Sequence, residues 1–216
     1  HPLSTAATYS FHPVKTVTMG EGGAIATRDS DRAKTMRLLR SHGLAEDSSE
    51  ISAPHESHIS PRAQYILGTN MRASDLQCAL GIHQLGKLDG FVSRRKTLAA
   101  RYDDQIAKLS PAVVPVDRPQ SGQSGWHLYV VLIDFEQIGM TRAAFMKALA
   151  DLGIGTQVHY RPVPYEPYFR SKDPSNSRYP GAERYAGRCL SLPLFPDMAD
   201  TDVDRVVEGL STVLGT

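Results

Sequence analysis

Residues 10–27 have the sequence SFHPVKTVTMGEGGAIAT. The pattern predicts two short strands, at residues 9–11 and 23–27, joined by a loop that carries Lys15 and a glycine-rich turn. A lysine that follows a strand, in a loop backed by small residues, can be held partly out of water, and its amine is then a nucleophile towards carbonyl groups. On these features alone, an ordinary surface lysine beside a turn is the alternative.

The residues around Lys15 suit a bound phosphate. Ser10 precedes the lysine in the same segment and offers a hydroxyl donor to a phosphate oxygen. Pro13 restricts the backbone shortly before the lysine, and the glycines of residues 20–23 let the chain pass close to a ligand. These features are compatible with a small-molecule site built on a lysine, but on them alone the ordinary surface lysine is the more common case.

Outside this segment the chain alternates helices and strands, which indicates an α/β protein. Asp29 is a typical cap for a helix that runs to about residue 42, where Gly43 is a typical stop. Residues 45–69 are polar and predict an irregular excursion. We expect domains at 1–109 and 110–216, a long helical stretch at 73–109 interrupted near 86–90, strands at 126–134 and 155–160, and helices at 141–152, 182–190 and 201–214.

Composition argues against several classes of function. The 24 basic and 23 acidic side chains give a net charge of +1, which offers no electrostatic reason to expect binding to nucleic acid or to an acidic membrane. No apolar run approaches the ~20 residues of a membrane-spanning helix. Cys78 and Cys189 form no CxxC pair, and we expect a reduced, cytoplasmic protein with Cys78 in the core. The eight histidines show no metal-ligand spacing, so no metal site is expected.

The Lys15 segment, together with MRLLRSHG at 36–43, resembles the lysine segment of the DegT/DnrJ/EryC1/StrS aminotransferases. These are sugar aminotransferases that use pyridoxal phosphate (PLP). The resemblance implies an aspartate-aminotransferase-like fold (fold type I), with this chain as the end of the large domain plus a small α/β domain. It continues in order along almost the whole chain, through GTNMRASDLQ at 68–77, LGKLD at 85–89, Arg94-Arg95, HLY at 127–129, GIG at 153–155, VHY at 158–160 and LPLFP at 192–196.

The resemblance implies roles for three residues of the first half. Lys15 matches the lysine that binds PLP covalently, and Ser10 matches a serine that binds the PLP phosphate. Asn70 matches an asparagine that reaches the PLP phosphate of the neighbouring subunit, which implies a homodimer. A neutral amide is a suitable donor to a phosphate. Without its flanking pattern, Asn70 would be taken for an ordinary turn residue.

FHPVK and VHYRPV are most similar to the aminotransferases of pseudaminic acid biosynthesis. These convert a UDP-linked 4-keto-6-deoxy hexose to the 4-amino sugar, of the UDP-4-amino-4,6-dideoxy-N-acetyl-altrosamine type, with glutamate as amino donor. His159 and Tyr160 lie where this subgroup has its sugar-nucleotide site, and a purely structural pair is the alternative. The subgroup often has a second histidine near Pro164, where this chain has Tyr165. Four aromatic residues would either stack on a uracil or anchor their loop: Tyr160, Tyr165, Tyr168 and Phe169.

The resemblance therefore implies PLP-dependent transamination of a nucleotide-linked sugar for cell-surface glycan biosynthesis. In the family, the aspartate that pairs with the PLP ring nitrogen and the residue that stacks on the ring precede the lysine. Neither has a counterpart in this sequence, so we expect the chain to be catalytically incomplete alone. An inactive relic of the fold, acting as a binding or regulatory protein, is the alternative. Family members that dehydrate sugars replace the lysine, so Lys15 argues against that reaction.

Overall fold

The computed structural model describes residues 4–45, 62–118, 122–173, 175 and 177–216. The chain forms two compact units, His1–Leu88 and Asp89–Thr216. We predicted a boundary after residue 109, whereas the structure divides the chain at the start of its longest helix. The reason is that this helix buries Leu98, Tyr102 and Ile106 in the core of the second unit.

The described residues of the first unit form two antiparallel strand pairs, one further bridge and two α-helices. The Asp29 side chain caps the first helix by accepting hydrogen bonds from the backbone N–H groups of Asp31 and Arg32, which confirms the cap expected there. Part of the expected irregular excursion is instead paired, because Leu44–Ala45 and Ala63–Gln64 bond to each other as antiparallel strands. Residues 46–61 lie outside the described residues. The elements of this unit are β1 (Ala7–Ser10), β2 (Gly23–Ala26), α1 (Ser30–Arg40), β3 (Leu44–Ala45), β4 (Ala63–Gln64) and α2 (Asp75–Leu85).

The expected long helical stretch is two helices with a break between them. α2 ends with Gly86 as its C-terminal cap, and α3 (Leu88–Ile106) begins two residues later. Gly90 lies inside α3 rather than in the break. All residues of α2 are at least partly exposed, so the expectation that Cys78 packs in the core is wrong: its side chain is exposed.

The second unit is a three-stranded antiparallel sheet with helices packed against it. Its strands lie in the order β5 (Val113–Pro115), β6 (Tyr129–Ile133) and β7 (Cys189–Leu192). Thr141 caps the helix that follows β6, as the sequence predicted. After α3, the elements of this unit are β5 (Val113–Pro115), β6 (Tyr129–Ile133), α4 (Arg142–Asp151), a 3₁₀ turn (Val163–Tyr165), α5 (Pro167–Arg170), α6 (Pro180–Arg188), β7 (Cys189–Leu192) and α7 (Asp200–Leu214).

Two of the sequence-based expectations for this unit are wrong. The strand expected at residues 155–160 is reduced to one bridge, between Gln157 and Ser191. The end of the helix expected at 182–190 is strand β7, which pairs with β6. Both errors have the same cause: pairing with a distant segment decides the conformation of a short apolar run, and its own residues do not.

The core of the second unit lies between the sheet and helices α3, α4 and α7. Its largest members are fully buried: Tyr102, Tyr129, Phe145, Leu98, Ile106, Ile133 and Leu149. The buried Arg95 crosses the edge of this core and donates hydrogen bonds to the carbonyls of Trp126 (3.0 Å) and Leu194 (2.8 Å). Burial lowers the pKa of this guanidinium from its ordinary value. Among the described helices, none is both long enough and apolar enough to cross a membrane.

The contrast between Leu149 and Leu152 tests this core. Leu149 is fully buried, whereas Leu152, at the end of the same helix, is 42% exposed. We expect Leu149→Ala to lower the free energy of unfolding by about 2–5 kcal/mol, and Leu152→Ala to lower it by less than about 1 kcal/mol. Urea titration followed by the fluorescence of Trp126, the single tryptophan, measures both variants. Equal losses in the two variants would contradict the assigned core.

Candidate functional site

The loop that carries Lys15 is closed by backbone hydrogen bonds. Phe11 donates to the carbonyl of Gly22, and Met19 donates to the carbonyl of Phe11, each at 2.9 Å. Inside the loop, the N–H of Lys15 donates to the carbonyl of His12 at 2.9 Å, which forms a turn. The lysine side chain is half-buried. The loop therefore holds the lysine in a defined turn next to the β1–β2 pair.

Ser10 is fixed at the end of β1 by its pairing with Gly23. A Cβ atom at Gly23 would lie 2.6 Å from the carbonyl oxygen of Tyr9, so this pairing requires glycine. The Ser10 hydroxyl oxygen accepts a long hydrogen bond, 3.5 Å, from the N–H of His12. A hydroxyl that accepts in this way keeps its own proton as a donor, which suits a phosphate oxygen.

Helix α2 holds the far side of the Lys15 loop through Gln77. The Gln77 side-chain oxygen accepts from the N–H of Ser74 at 2.8 Å, and the Ser74 hydroxyl accepts from the N–H of Gln77 at 3.3 Å. This capping box leaves the Gln77 amide nitrogen to donate to the carbonyl of Glu21 at 2.7 Å. Gly81 also allows close approach, because a Cβ there would lie 3.2 Å from the Cβ of Met19. One glutamine thus caps α2 and tethers the loop.

Asn70 lies in the same unit, on a single bridge to Ser41 that follows helix α1. The N–H of Met71 donates to the carbonyl of Arg40 at 2.9 Å and fixes the next residue. The Asn70 side-chain oxygen accepts from the N–H of Arg72 at 3.5 Å, and the side chain is exposed. The NH₂ group of this exposed amide is a hydrogen-bond donor.

His159 and Tyr160 lie in the second unit and contact each other. Their rings meet edge to face, with centroids 4.6 Å apart, and Tyr160 is 66% exposed. The Nδ1 atom of His159 lies 2.7 Å from the hydroxyl oxygen of the buried Ser191. The structure therefore gives this pair a half-buried imidazole beside an exposed aromatic ring.

Tyr165 anchors the segment that follows this pair. Its hydroxyl donates to the carboxylate of Glu183 and accepts from the N–H of Tyr179 at 3.1 Å. Arg178 donates to the same carboxylate at 2.6 Å. Hydrogen bonds from Arg178 and then from Tyr165 lower the pKa of Glu183 to about 2. Of the four aromatic residues considered above, Tyr165 is thus a loop anchor, whereas Tyr160, Tyr168 and Phe169 are exposed.

The structure places Ser10 and Lys15 in one strand–loop connection and Asn70 in the same unit. Gln77 and Ser191 have contacts that sequence reasoning missed. Gln77 had a visible signal, because a glutamine three residues after a serine is the pattern of a capping box. Ser191 had a weaker signal: it is the polar residue of an otherwise apolar strand, CLSL.

The chain resembles known proteins along nearly its whole length. The model of the DegT/DnrJ/EryC1/StrS aminotransferase family matches residues 2–211. The spore coat polysaccharide biosynthesis protein SpsC of Bacillus subtilis is 36% identical over 218 residues, which cover 98% of this chain and 54% of SpsC. The chain thus spans about half the length of this curated relative.

Solved structures also match nearly the whole chain. PseC of Helicobacter pylori, an aminotransferase involved in the biosynthesis of pseudoaminic acid, matches with a TM-score of 0.85 and 26% identity over 98% of this chain and 54% of its own. Spr1654 of Streptococcus pneumoniae, in its PLP form, matches with a TM-score of 0.81 and 25% identity over 99% of this chain and 52% of its own. The mixed α/β fold is therefore that of about half of a PLP-dependent sugar aminotransferase, as the sequence predicted.

Replacing Gln77 by glutamate separates its two contacts. Gln77→Glu keeps an oxygen acceptor for the cap of α2, but it removes the donor to Glu21 and places a carboxylate beside a carbonyl. We expect faster hydrogen exchange in residues 12–22 with little change in α2. Ser74→Ala is the matched control, which weakens the helix cap by about 1 kcal/mol and leaves the tether. Hydrogen–deuterium exchange measures both, and unchanged exchange in the loop of Gln77→Glu would contradict the tether.

The pair of Glu183 with Arg178 makes the anchor of the second unit dependent on pH. Because the folded-state pKa of Glu183 lies near 2 and the ordinary value is 4.5, the stabilisation is present above about 4.5 and is lost as the pH falls towards 2. We expect Glu183→Gln to unfold at a lower urea concentration than the natural chain at neutral pH. The difference between the two urea midpoints should disappear as the pH approaches 2. Glu208→Gln, on the exposed side of α7, is the control. A urea midpoint that is lowered equally in Glu183→Gln at every pH would contradict the stabilising pair.

Proposed function

Because this chain belongs to the DegT/DnrJ/EryC1/StrS aminotransferase family, we propose that it serves the PLP-dependent transfer of an amino group to a nucleotide-linked sugar. The acceptor is a UDP-linked 4-keto-6-deoxy sugar, the amino donor is glutamate, and the product enters a cell-surface glycan. Two similar proteins support a role in glycan biosynthesis: SpsC is a spore coat polysaccharide biosynthesis protein, and PseC is involved in the biosynthesis of pseudoaminic acid. The observation that carries the proposal is the half-buried Lys15, which lies in a loop closed by the backbone hydrogen bonds of Phe11 to Gly22 and Met19.

The donor set of the first unit fits PLP in chemical type. PLP presents an aldehyde, which requires an amine, and a phosphate, which requires hydrogen-bond donors. The chain supplies the amine of Lys15, the hydroxyl of Ser10 and the amide of Asn70. These residues would hold the cofactor, and PLP, when bound, supplies an electron sink for the reacting carbon.

Lys15 has two roles in this proposal. Its amine attaches the cofactor, which requires a lysine that is partly out of water and correctly placed. In its second role, with the amine displaced by the amino donor, Nζ would take the proton from the substrate carbon as a general base and would deliver it to the cofactor carbon as a general acid. Both roles require that the lysine keeps one position. The hydrogen bond from its backbone N–H to the carbonyl of His12 restrains its backbone.

His159 and Tyr160 are the proposed contacts to the sugar nucleotide in the second unit. An imidazole and a phenol can each donate to the hydroxyl, carbonyl and phosphate oxygens that such a substrate carries. Tyr165 replaces the second histidine of the pseudaminic acid subgroup, and its hydroxyl is already committed to Glu183. We therefore assign Tyr165 to holding the segment and leave substrate contact to His159 and Tyr160.

We further propose that the protein acts as a homodimer in the cytoplasm, with Asn70 donating to the PLP phosphate of the other subunit. The exposed position of Asn70 supports this assignment, because its side-chain NH₂ group is a hydrogen-bond donor at the surface. Removal of this amide should weaken cofactor binding without disturbing the Lys15 loop.

Reductive labelling tests the proposed cofactor site. The purified chain is incubated with PLP, reduced with borohydride and digested, and the peptides are analysed by mass spectrometry. We expect one selective pyridoxyl adduct, on Lys15, and its loss in Lys15→Ala. Lys87→Ala, at an exposed lysine of the same unit, should leave the adduct unchanged. Ser10→Ala and Asn70→Ala should each raise the PLP concentration needed for labelling about three- to tenfold.

The outcomes separate the proposed enzyme from the alternative of a non-catalytic relic. A selective adduct on Lys15, followed by amination of a UDP-linked 4-keto-6-deoxy sugar in the presence of glutamate, supports the enzyme. Uniform labelling of many lysines would contradict a built PLP site in this chain. Because this chain is expected to be catalytically incomplete alone, transfer is measured in a protein that also contains the aspartate and the ring-stacking residue of the family. A selective adduct on Lys15 without transfer to any keto sugar in that protein would instead favour a binding or regulatory role.

A further inference from the structure

Ser191 is a polar residue in a fully buried strand. Strand β7 consists of Cys189, Leu190, Ser191 and Leu192, and each of these residues is buried, with Ser191 only 5% exposed. Burying a hydroxyl without a partner is costly, whereas an alanine at this position would fit at no such cost. The hydroxyl therefore requires a hydrogen-bond partner, which the structure supplies.

That partner is the imidazole of His159. Its Nδ1 lies 2.7 Å from the Ser191 hydroxyl oxygen. The two side chains meet because the backbones are bridged two residues earlier: Ser191 donates to the carbonyl of Gln157 at 2.8 Å and accepts from the N–H of Gln157 at 3.2 Å. This register makes Ser191 and His159 diagonal neighbours on adjacent extended segments, which is within reach of an imidazole.

The rest of His159 is also restrained. The hydroxyl of Tyr185, on helix α6, donates to the His159 carbonyl at 3.4 Å. The ring of Tyr160 packs against the imidazole edge to face, with an interplanar angle of 80°. Residues of strand β7 and helix α6 and the adjacent tyrosine thus all contact His159, and the Ser191 hydroxyl contacts its Nδ1 atom.

We propose that Ser191 is a positioning residue that fixes the orientation and the tautomer of His159 for recognition of the nucleotide sugar. A buried serine hydroxyl is satisfied when it donates its proton to Nδ1, and a neutral imidazole that accepts at Nδ1 carries its proton on Nε2. Nε2–H is then a donor, which matches the oxygen-rich surface of a sugar nucleotide. This inference rests on the proposed function for the identity of the ligand. The effect of the Ser191 hydroxyl on the tautomer of His159 does not depend on that function.

Nitrogen-15 spectroscopy of the intact chain tests the relation directly. In protein labelled with ¹⁵N-histidine, the signals of His159 are assigned by their absence in His159→Gln. We expect the natural chain to show the tautomer protonated at Nε2, with Nδ1 as the acceptor. In Ser191→Ala we expect both ring-nitrogen signals to move towards the average of two tautomers. Cys189→Ala, on the same buried strand, should leave them unchanged.

Two results would overturn the proposal. One is a His159 spectrum that does not differ between the natural chain and Ser191→Ala; the other is a natural chain with its proton on Nδ1. If Ser191→Ala does not fold, Ser191→Thr and Ser191→Val replace it, because they are similar in size and only threonine keeps the hydroxyl. The threonine variant should then retain the natural spectrum and the valine variant should lose it, and the same spectrum in both would refute the role of the hydroxyl.

Titration with UDP-N-acetylglucosamine as the probe then distinguishes this inference from the proposed function. We expect the Nε2 signal of His159 to shift on addition of the probe, and Ser191→Ala to bind it about three- to tenfold more weakly. No shift, with the tautomer result intact, would refute the substrate role of His159 while leaving the positioning by Ser191 established. A shift with equal affinity in both proteins would refute the positioning role in recognition.

Discussion

The bridge between Gln157 and Ser191 shows the constraint on which much of this structure depends: a polar group that leaves water must find a partner, and here the partners come from distant segments. Arg95 on α3 reaches the carbonyls of Trp126 and Leu194, and the hydroxyl of Tyr102 reaches the carbonyl of Pro193 at 2.9 Å. The contacts to Pro193 and Leu194 connect helix α3 to the last third of the second unit, and the contact to Trp126 connects it to the segment before β6. Apolar packing gives this unit its core, and the polar contacts fix its register.

In the first unit the same requirement shapes the connection that carries Lys15. The loop satisfies its backbone within itself at Phe11, and it takes one external donor from Gln77. That glutamine serves a helix cap and a loop tether at once, so the position of the lysine is coupled to the start of helix α2. A nucleophile on a loop needs such support, because a free loop would not hold an amine in one place.

The family and the general fold followed from the sequence because the matching stretches occur in order along the chain and each has a local physical reason. Asp29 and Thr141 are helix caps whose effect depends on the next few residues alone, and the structure confirms both. The expected roles of Ser10, Lys15, Asn70, His159 and Tyr160 come from the resemblance and stay predictions. For the first three, the structure adds donors and acceptors of the appropriate type.

What the sequence by itself determined was local: the strand–loop–strand around Lys15, the helix starts, and the break after α2. Tertiary structure decided which short apolar runs pair. It made a strand of residues 189–192, left only one bridge in residues 155–160, and moved α3 into the second unit. It also decided that Tyr165 meets Glu183 and that Ser191 meets His159. The physical reason is that caps and turns act over a few residues, whereas these pairings join segments far apart in sequence, and no local pattern encodes the partner.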